Sequence, residues 1–254
     1  MNRKPLFALL CAIPVCFTAA INAGELTEHS SQKLTMHFRG SGDHTLEVRA
    51  IEGNITVEAY DGPDVEMTVE KSLSARNEQE MLAARRDVVL DTADNATTIG
   101  AIVRYPNQQT CGGANGYESH AGYHVRFDFR IRVPRNVRLK LCTINDSVVA
   151  VSGTAGDFDI KNVNGRIAMT GIAGSGNALT VNGAVAASFI STPPHPSTFR
   201  TTNGDVVITL PEGSSPQLHM RTLNGKVTAS PSLRAAQDGV ELTLETLNGD
   251  VRVL

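Results

Sequence analysis

Tryptophan is absent from this 254-residue chain, and aromatic residues make up only 5% of it. A carbohydrate platform built on stacked rings would have few rings to use. A basic excess is also missing: 23 Lys and Arg stand against 26 Asp and Glu, a formal charge of −3. That balance excludes a globally basic nucleic-acid binder. Cysteine is scarce, with four in all, and no Cys-x-x-Cys pair exists to suggest a redox or zinc knuckle. Serine and histidine show no nucleophile-elbow spacing. Beyond the first 20 or so residues no apolar run reaches membrane length.

What is present begins with a leader. Arg3 and Lys4 precede an apolar run from Leu6 to Phe17, broken by Pro14, and small residues follow it. This pattern predicts a secretory signal peptide over residues 1–23, cleaved after Ala23 or Ala20, and an exported chain with no transmembrane segment in its mature form. Loss of Arg3 and Lys4 takes the formal charge from −3 to −5. Leu10 before Cys11 and Val15 before Cys16 argue against a lipoprotein site, which needs small residues there.

Residues 24–134 read as a β-rich N-terminal part. Residues 24–33 are polar and read as a flexible start. Runs at Leu34 to Phe38, Leu46 to Ile51, Ile55 to Tyr60 and Val65 to Val69 have strand patterning, with turns at Glu52-Gly53-Asn54 and Asp61-Gly62-Pro63-Asp64. Residues 74–86 fit one short helix capped by Ser74. Val88 to Leu90 and Thr98 to Arg104 read as strands, and 105–122 as a long polar loop. Tyr123 to Val133 alternates apolar and charged residues until Pro134 removes the next donor.

Residues 135–254 carry a repeated phrase of the form Thr-x-Asn-Gly, continuous with the preceding part. Its asparagines are Asn145, Asn164, Asn182, Asn203, Asn224 and Asn248. Steps of about 20 residues between short β-patterned runs point to stacked coils. Aligned on the Asn, the positions four and one before it and three and five after it are mostly apolar, so all four columns are expected inside. The three-after column starts with Val148 and the five-after column with Ala150. Asn-Gly between alternating runs is also a hairpin signal, which would give an antiparallel meander. Parallel in-register stacking accounts better for the matching columns, because it sets each Asn about 4.8 Å from the last. The expected fold is all-β: a parallel, right-handed β-solenoid or β-helix-like stack with one short helix.

These residues resemble a family. Ile131-Arg132-Val133-Pro134, then Val137-Arg138-Leu139-Lys140-Leu141, then the repeated Thr-Val-Asn-Gly units look like the exported bacterial "putative adhesin" β-strand-repeat family of unknown function. The N-terminal Ile51-Glu52-Gly53-Asn54-Ile55-Thr56-Val57 fits as well. The resemblance spans about residues 34–254. It implies a β-helix-like fold, a place in the bacterial envelope (periplasm or cell surface), and no catalytic residues to transfer. Loop 105–122 and the cysteine pair depart from the family pattern.

Four candidate sites remain. Cys111 and Cys142 are expected to form one disulfide in an oxidising compartment, with Cys142 in an outward column. Cys111, His120 and His124 raise a zinc reading, but no fourth ligand is evident. Arg126, Arg130, Arg132, Arg135, Arg138 and Lys140 form a basic run that either binds an anionic envelope partner or is a solvated face paired with Glu47, Glu58, Glu66 and Glu70. Asp157 with Asp159, and Asp205 with Asp250, are acid pairs that a polysaccharide-cleaving β-helix enzyme could use, and the mixed column of Asp205 and Asp250 reads as an outward face and not as an acid–base site. The expectation is a non-catalytic envelope protein, adhesin-like or a scaffold and binding module, without cofactors. The alternatives are a polysaccharide-active enzyme and a scaffold that self-associates through the C-terminal end of its stack, because Leu254 ends the chain inside a strand.

Overall fold

The computed structural model describes residues 18–22, 25–106, 122–145, 147–233 and 238–254. The fold is nearly all β, with one helix. The N-terminal part holds β1 (Thr18–Asn22), β2 (Glu25–Met36), β3 (Thr45–Arg49), β4 (Ile55–Tyr60), β5 (Val65–Ala75), α1 (Glu78–Asp87), β6 (Val89–Asp94), β7 (Thr98–Arg104) and β8 (Tyr123–Pro134). The repeats hold β9 (Arg138–Cys142), β10 (Val149–Ser152), β11 (Phe158–Lys161), β12 (Ile167–Ile172), β13 (Gly176–Leu179) and β14 (Val185–Phe189). They continue with β15 (Ser197–Arg200), β16 (Val206–Thr209), β17 (Gln217–Arg221), β18 (Val227–Ala229), β19 (Glu241–Glu245) and β20 (Val251–Val253).

Two mixed sheets result. The first, with 11 strands, runs β1-β2-β5-β8-β4-β10-β12-β14-β16-β20-β18, and the second, with nine, runs β17-β19-β15-β13-β11-β9-β3-β7-β6. From β9 on, successive strands alternate between the sheets and pair in parallel with the coils before and after. The Asn-Gly corners therefore join the two sheets and close no hairpins. β3 and β4 add one more such coil, with Glu52 opposite Asn145. Antiparallel pairing is confined to β1, β2, β5, β8 and the β6–β7 pair.

Several expectations change. Residues 25–33 are not a loose start but the first part of β2, paired along its length with β5. The helix begins later than expected, because the Asn77 side chain caps it by accepting the Glu80 N–H at 2.9 Å. The end of the expected leader, Thr18–Asn22, pairs antiparallel with β2.

The inward columns are also corrected. In the second sheet Leu141, Ile160, Ala178, Phe199 and Leu244 are fully buried, as expected. The position just before Asn is not inside: Val181, Leu223 and Leu247 are exposed. The Thr two before Asn is buried instead, at Thr143, Thr180, Thr201 and Thr246. Alternation thus persists to this Thr, and the chain turns after it. In the first sheet Ile167 aligns with Val149, not Val148, and Val151 replaces Ala150 inside. The corner after Asn145 has one residue more than its Asn-Gly counterparts, and one residue of slip swaps the faces.

The last coil is displaced. β20 lies between β16 and β18, and β19 between β15 and β17. The chain therefore folds back, inserting its C-terminal coil beneath the preceding one. The expected open end at Leu254 is instead formed by β17 and β18.

Candidate functional site

The repeated phrase proves to be a set of hydrogen-bonded ladders. Each Asn side chain donates through Nδ2 to the Oδ1 of its neighbour: Asn164 to Asn145 (2.9 Å), Asn182 to Asn164 (2.7 Å), Asn203 to Asn182 (2.8 Å), Asn248 to Asn203 (2.7 Å) and Asn224 to Asn248 (2.7 Å). The buried Thr of three corners donates its hydroxyl to a glycine carbonyl of the adjacent coil: Thr180 to Gly165 (2.8 Å), Thr201 to Gly183 (2.7 Å) and Thr246 to Gly204 (2.8 Å). An alcohol facing the core would cost stability without an acceptor, and this bond supplies one. Glycine follows Asn because the coils approach closely there. A Cβ on Gly204 (φ 150°) would lie 2.3 Å from the Gly183 carbonyl oxygen.

The basic run does not form one patch. Arg126, Arg130 and Arg132 lie on β8 in the first sheet, Arg138 and Lys140 on β9 in the second, and Arg135 in the turn between them. Most are paired with acids: Arg126 with Asp128 (2.9 Å), Arg130 with Glu70 (2.6 Å), Arg132 with Glu66 (2.8 Å), Arg135 with Asp61 (2.7 Å) and Arg138 with Asp157 (3.3 Å). Arg132 also lies 4.3 Å from the centre of the Tyr60 ring. Burial alone would raise the Asp128 carboxyl, but hydrogen bonds from Arg126 and the Asn54 N–H outweigh it and hold the carboxyl below its usual range.

The acid pairs are occupied too. Asp157 takes Arg138 and the Ser175 N–H (3.3 Å), and Asp159 takes Lys161 (3.3 Å). Asp157, Asp159, Arg138 and Ser175 border a shallow depression of about 240 Å³ with Lys140 and His195. Asp205 accepts the Asp250 N–H (2.9 Å) and binds Arg252 (2.7 Å), while Asp250 accepts the Lys226 N–H (3.0 Å). Asp157, Asp205 and Asp250 thus secure coil-to-coil contacts, while Asp159 pairs within its own strand.

Cys142 sits in the outward column, as expected, and is nonetheless buried there. Cys111 and His120 lie outside the described residues, and the disulfide pairing with them. His124 is exposed at the start of β8. No group of three or more His, Cys, Asp or Glu residues suited to a metal occurs among the described residues.

Sequence reasoning expected an open end coil but placed it at Leu254, not at β17 and β18. Leu223 is 72% and Val227 49% exposed, although Val227 belongs to an inward column buried in the other coils. The signal lay in charge: β15 carries Arg200 and β17 carries Arg221 in the same column, so direct neighbours would repel. β19 separates them and pairs Glu245 with Arg200.

Neither a family model nor a curated protein matches the chain. Solved structures similar to it include one from Clostridium sporogenes described as a putative cell adhesion protein, at 8% identity and a TM-score of 0.43, covering 89% of this chain and 98% of that one. A putative adhesin from Bacteroides fragilis is similar at 11% identity and a TM-score of 0.27, with 87% and 97% covered. A protein from Parabacteroides distasonis described as a putative lipid binding protein is similar at 9% identity and a TM-score of 0.31, with 89% and 96% covered. Similarity at this level assigns no activity.

Proposed function

We propose that this chain is an exported, non-catalytic binding module or scaffold of the bacterial envelope, adhesin-like in kind and built as a parallel β-solenoid. The observation that carries the reading is the ladder of Asn side chains. It commits the one repeated motif to holding coils together, and leaves outward columns and coil ends for recognition. The carboxylates that an enzyme would need are engaged in ion pairs and backbone hydrogen bonds. The leader-like residues 1–23 support export. Cleavage after Ala23 would remove β1 and leave β2 as the edge of the first sheet. Among the described residues no helix is long and apolar enough to cross a membrane.

The test is a pair of assays on the mature protein. Capture of an envelope component from bacterial extracts, with no cleavage in a screen of envelope glycans, is the expected result. Turnover of a glycan that Asp157→Asn or Asp159→Asn abolishes would replace this reading with the enzymatic one.

A further inference from the structure

We propose that the end coil formed by β17, the Thr222-Leu223-Asn224-Gly225 corner and β18 is a docking site for an extended, acid-bearing strand of a partner protein, added in parallel as the next coil. This deepens the binding-module reading and rests on it.

The first support is unfinished hydrogen bonding. In the coil of β15 and β16, Gly204 N–H and Val206 N–H donate to the Asn248 and Asp250 carbonyls of the next coil at 2.8 and 2.9 Å. Gly225 N–H and Val227 N–H hold the same positions on the end coil, and no coil follows them among the described residues. The Leu247 carbonyl accepts the Asn224 N–H at 2.8 Å, and the equivalent Leu223 carbonyl has no such donor among them. Asn224 ends the side-chain ladder as a donor, so its Oδ1 stands ready for one more Nδ2. An incoming strand with the same corner phrase would satisfy all four groups, and its apolar residues would cover Val227 and Ala229. Strand addition of this kind draws affinity from main-chain hydrogen bonds and specificity from alternate side chains.

Charge selects the occupant. From Gln217 to Ser230 the end coil carries Arg221, Lys226 and His219 and no acid. The coil beneath it, Glu241 to Leu254, carries Glu241, Glu245, Asp250 and one base, Arg252. A cationic coil thus lies on an anionic one at this end, with Glu245 between Arg200 and Arg221, and Asp250 beside Lys226. A second copy docking end to end would set Arg221 and Lys226 against their own equivalents, the arrangement that protects natural sheet edges from self-pairing. The complementary partner places a carboxylate before a Thr-x-Asn-Gly-like corner and another after it.

The chain supplies a probe. A labelled synthetic peptide of residues 241–254 carries Glu245, Asn248 and Asp250 in the required register. Fluorescence anisotropy with the mature protein should show saturable binding that weakens with salt. The peptide bearing Glu245→Lys and Asp250→Lys should bind at least about tenfold more weakly. Protein bearing Arg221→Glu and Lys226→Glu should reverse this preference, a rescue that damaged folding would not produce. Absence of saturable binding, or binding indifferent to both reversals, would overturn the proposal. A concentration-dependent dimer of the unmodified protein in sedimentation, lost on Arg221→Glu with Lys226→Glu, would overturn it in favour of a second copy. If the peptide fails while the protein still captures an envelope component, the end-coil site falls and the binding-module reading stands.

Discussion

Substituting Gly204 by alanine tests the close approach of the coils. The new Cβ would lie 2.3 Å from the Gly183 oxygen, 2.5 Å from its carbonyl carbon and 3.0 Å from the Ala184 nitrogen. All three are backbone atoms, so no side chain can swing aside. Relief requires the coils to part locally. That weakens Gly183 N–H to Asn203 O (2.8 Å) and Val185 N–H to Asp205 O (2.9 Å), at about 0.5–1.5 kcal/mol each. The φ of 150° adds about 1–3 kcal/mol for a residue with a side chain. The sum is about 2–6 kcal/mol. Gly213 is the matched control: its φ is 81°, but nothing lies within 4 Å of an added Cβ. Gly213→Ala should cost only the backbone term. Urea unfolding followed by circular dichroism reads both. With a slope of about 2 kcal/mol/M, Gly204→Ala should lower the midpoint by about 1–3 M, and Gly213→Ala clearly less. Equal losses for the two variants would refute the claim that coil contact at this corner demands glycine.

Other outcomes follow from the same contacts. Asn182→Asp should cost about 1–2 kcal/mol in the same unfolding assay, because a carboxylate can accept from Asn203 but not donate to Asn164. Arg130→Glu with Arg132→Glu should change stability by under about 1 kcal/mol per exposed pair, and unmodified protein should show no salt-dependent binding to anionic vesicles; vesicle binding abolished by the reversal would restore the basic-patch reading. The Asp128 carboxyl is lowered in the folded state, so its stabilisation is present above the unfolded pKa of about 3.9 and is lost as pH falls through the folded value. Asp128→Asn should therefore flatten the acid limb of a stability-versus-pH curve below about pH 4, and an unchanged limb would count against that role. Intact mass spectrometry of the mature protein should show a gain of about 2 Da on reduction, from Cys111 paired with Cys142; two alkylatable thiols beforehand would contradict the pairing.

The faces of the strands were legible because alternation records burial directly: Leu141, Ile160 and Phe199 are as hidden as their column implied. The Thr column was harder to assign, since its polar oxygen argued for solvent while its glycine-carbonyl acceptor existed only once the coils were stacked. The slip at Val149 arose from a single extra corner residue, which no periodicity reveals. Coil order was hidden for a different reason. Thr222-Leu223-Asn224-Gly225 and Thr246-Leu247-Asn248-Gly249 present the same corner, so either can follow Asn203 by pattern alone. Cross-strand charge separates them, and that requires knowing which columns meet. The basic run does not stay together because residues close in sequence fall on two sheets, and Arg130, Arg132 and Arg135 pair with acids 60 or more positions away, Glu70, Glu66 and Asp61.

Cysteine cross-linking decides most directly whether the repeated phrase is a ladder with a displaced last coil. Cα atoms of adjacent parallel coils lie about 4.8 Å apart, within the reach of a disulfide. Asn203→Cys with Asn248→Cys should form a bond on mild oxidation, located by peptide mapping. Asn203→Cys with Asn224→Cys should not, because Asn248 stands between them. Efficient bonding of residues 203 and 224, with none between 203 and 248, would contradict the coil order and the end coil built on it.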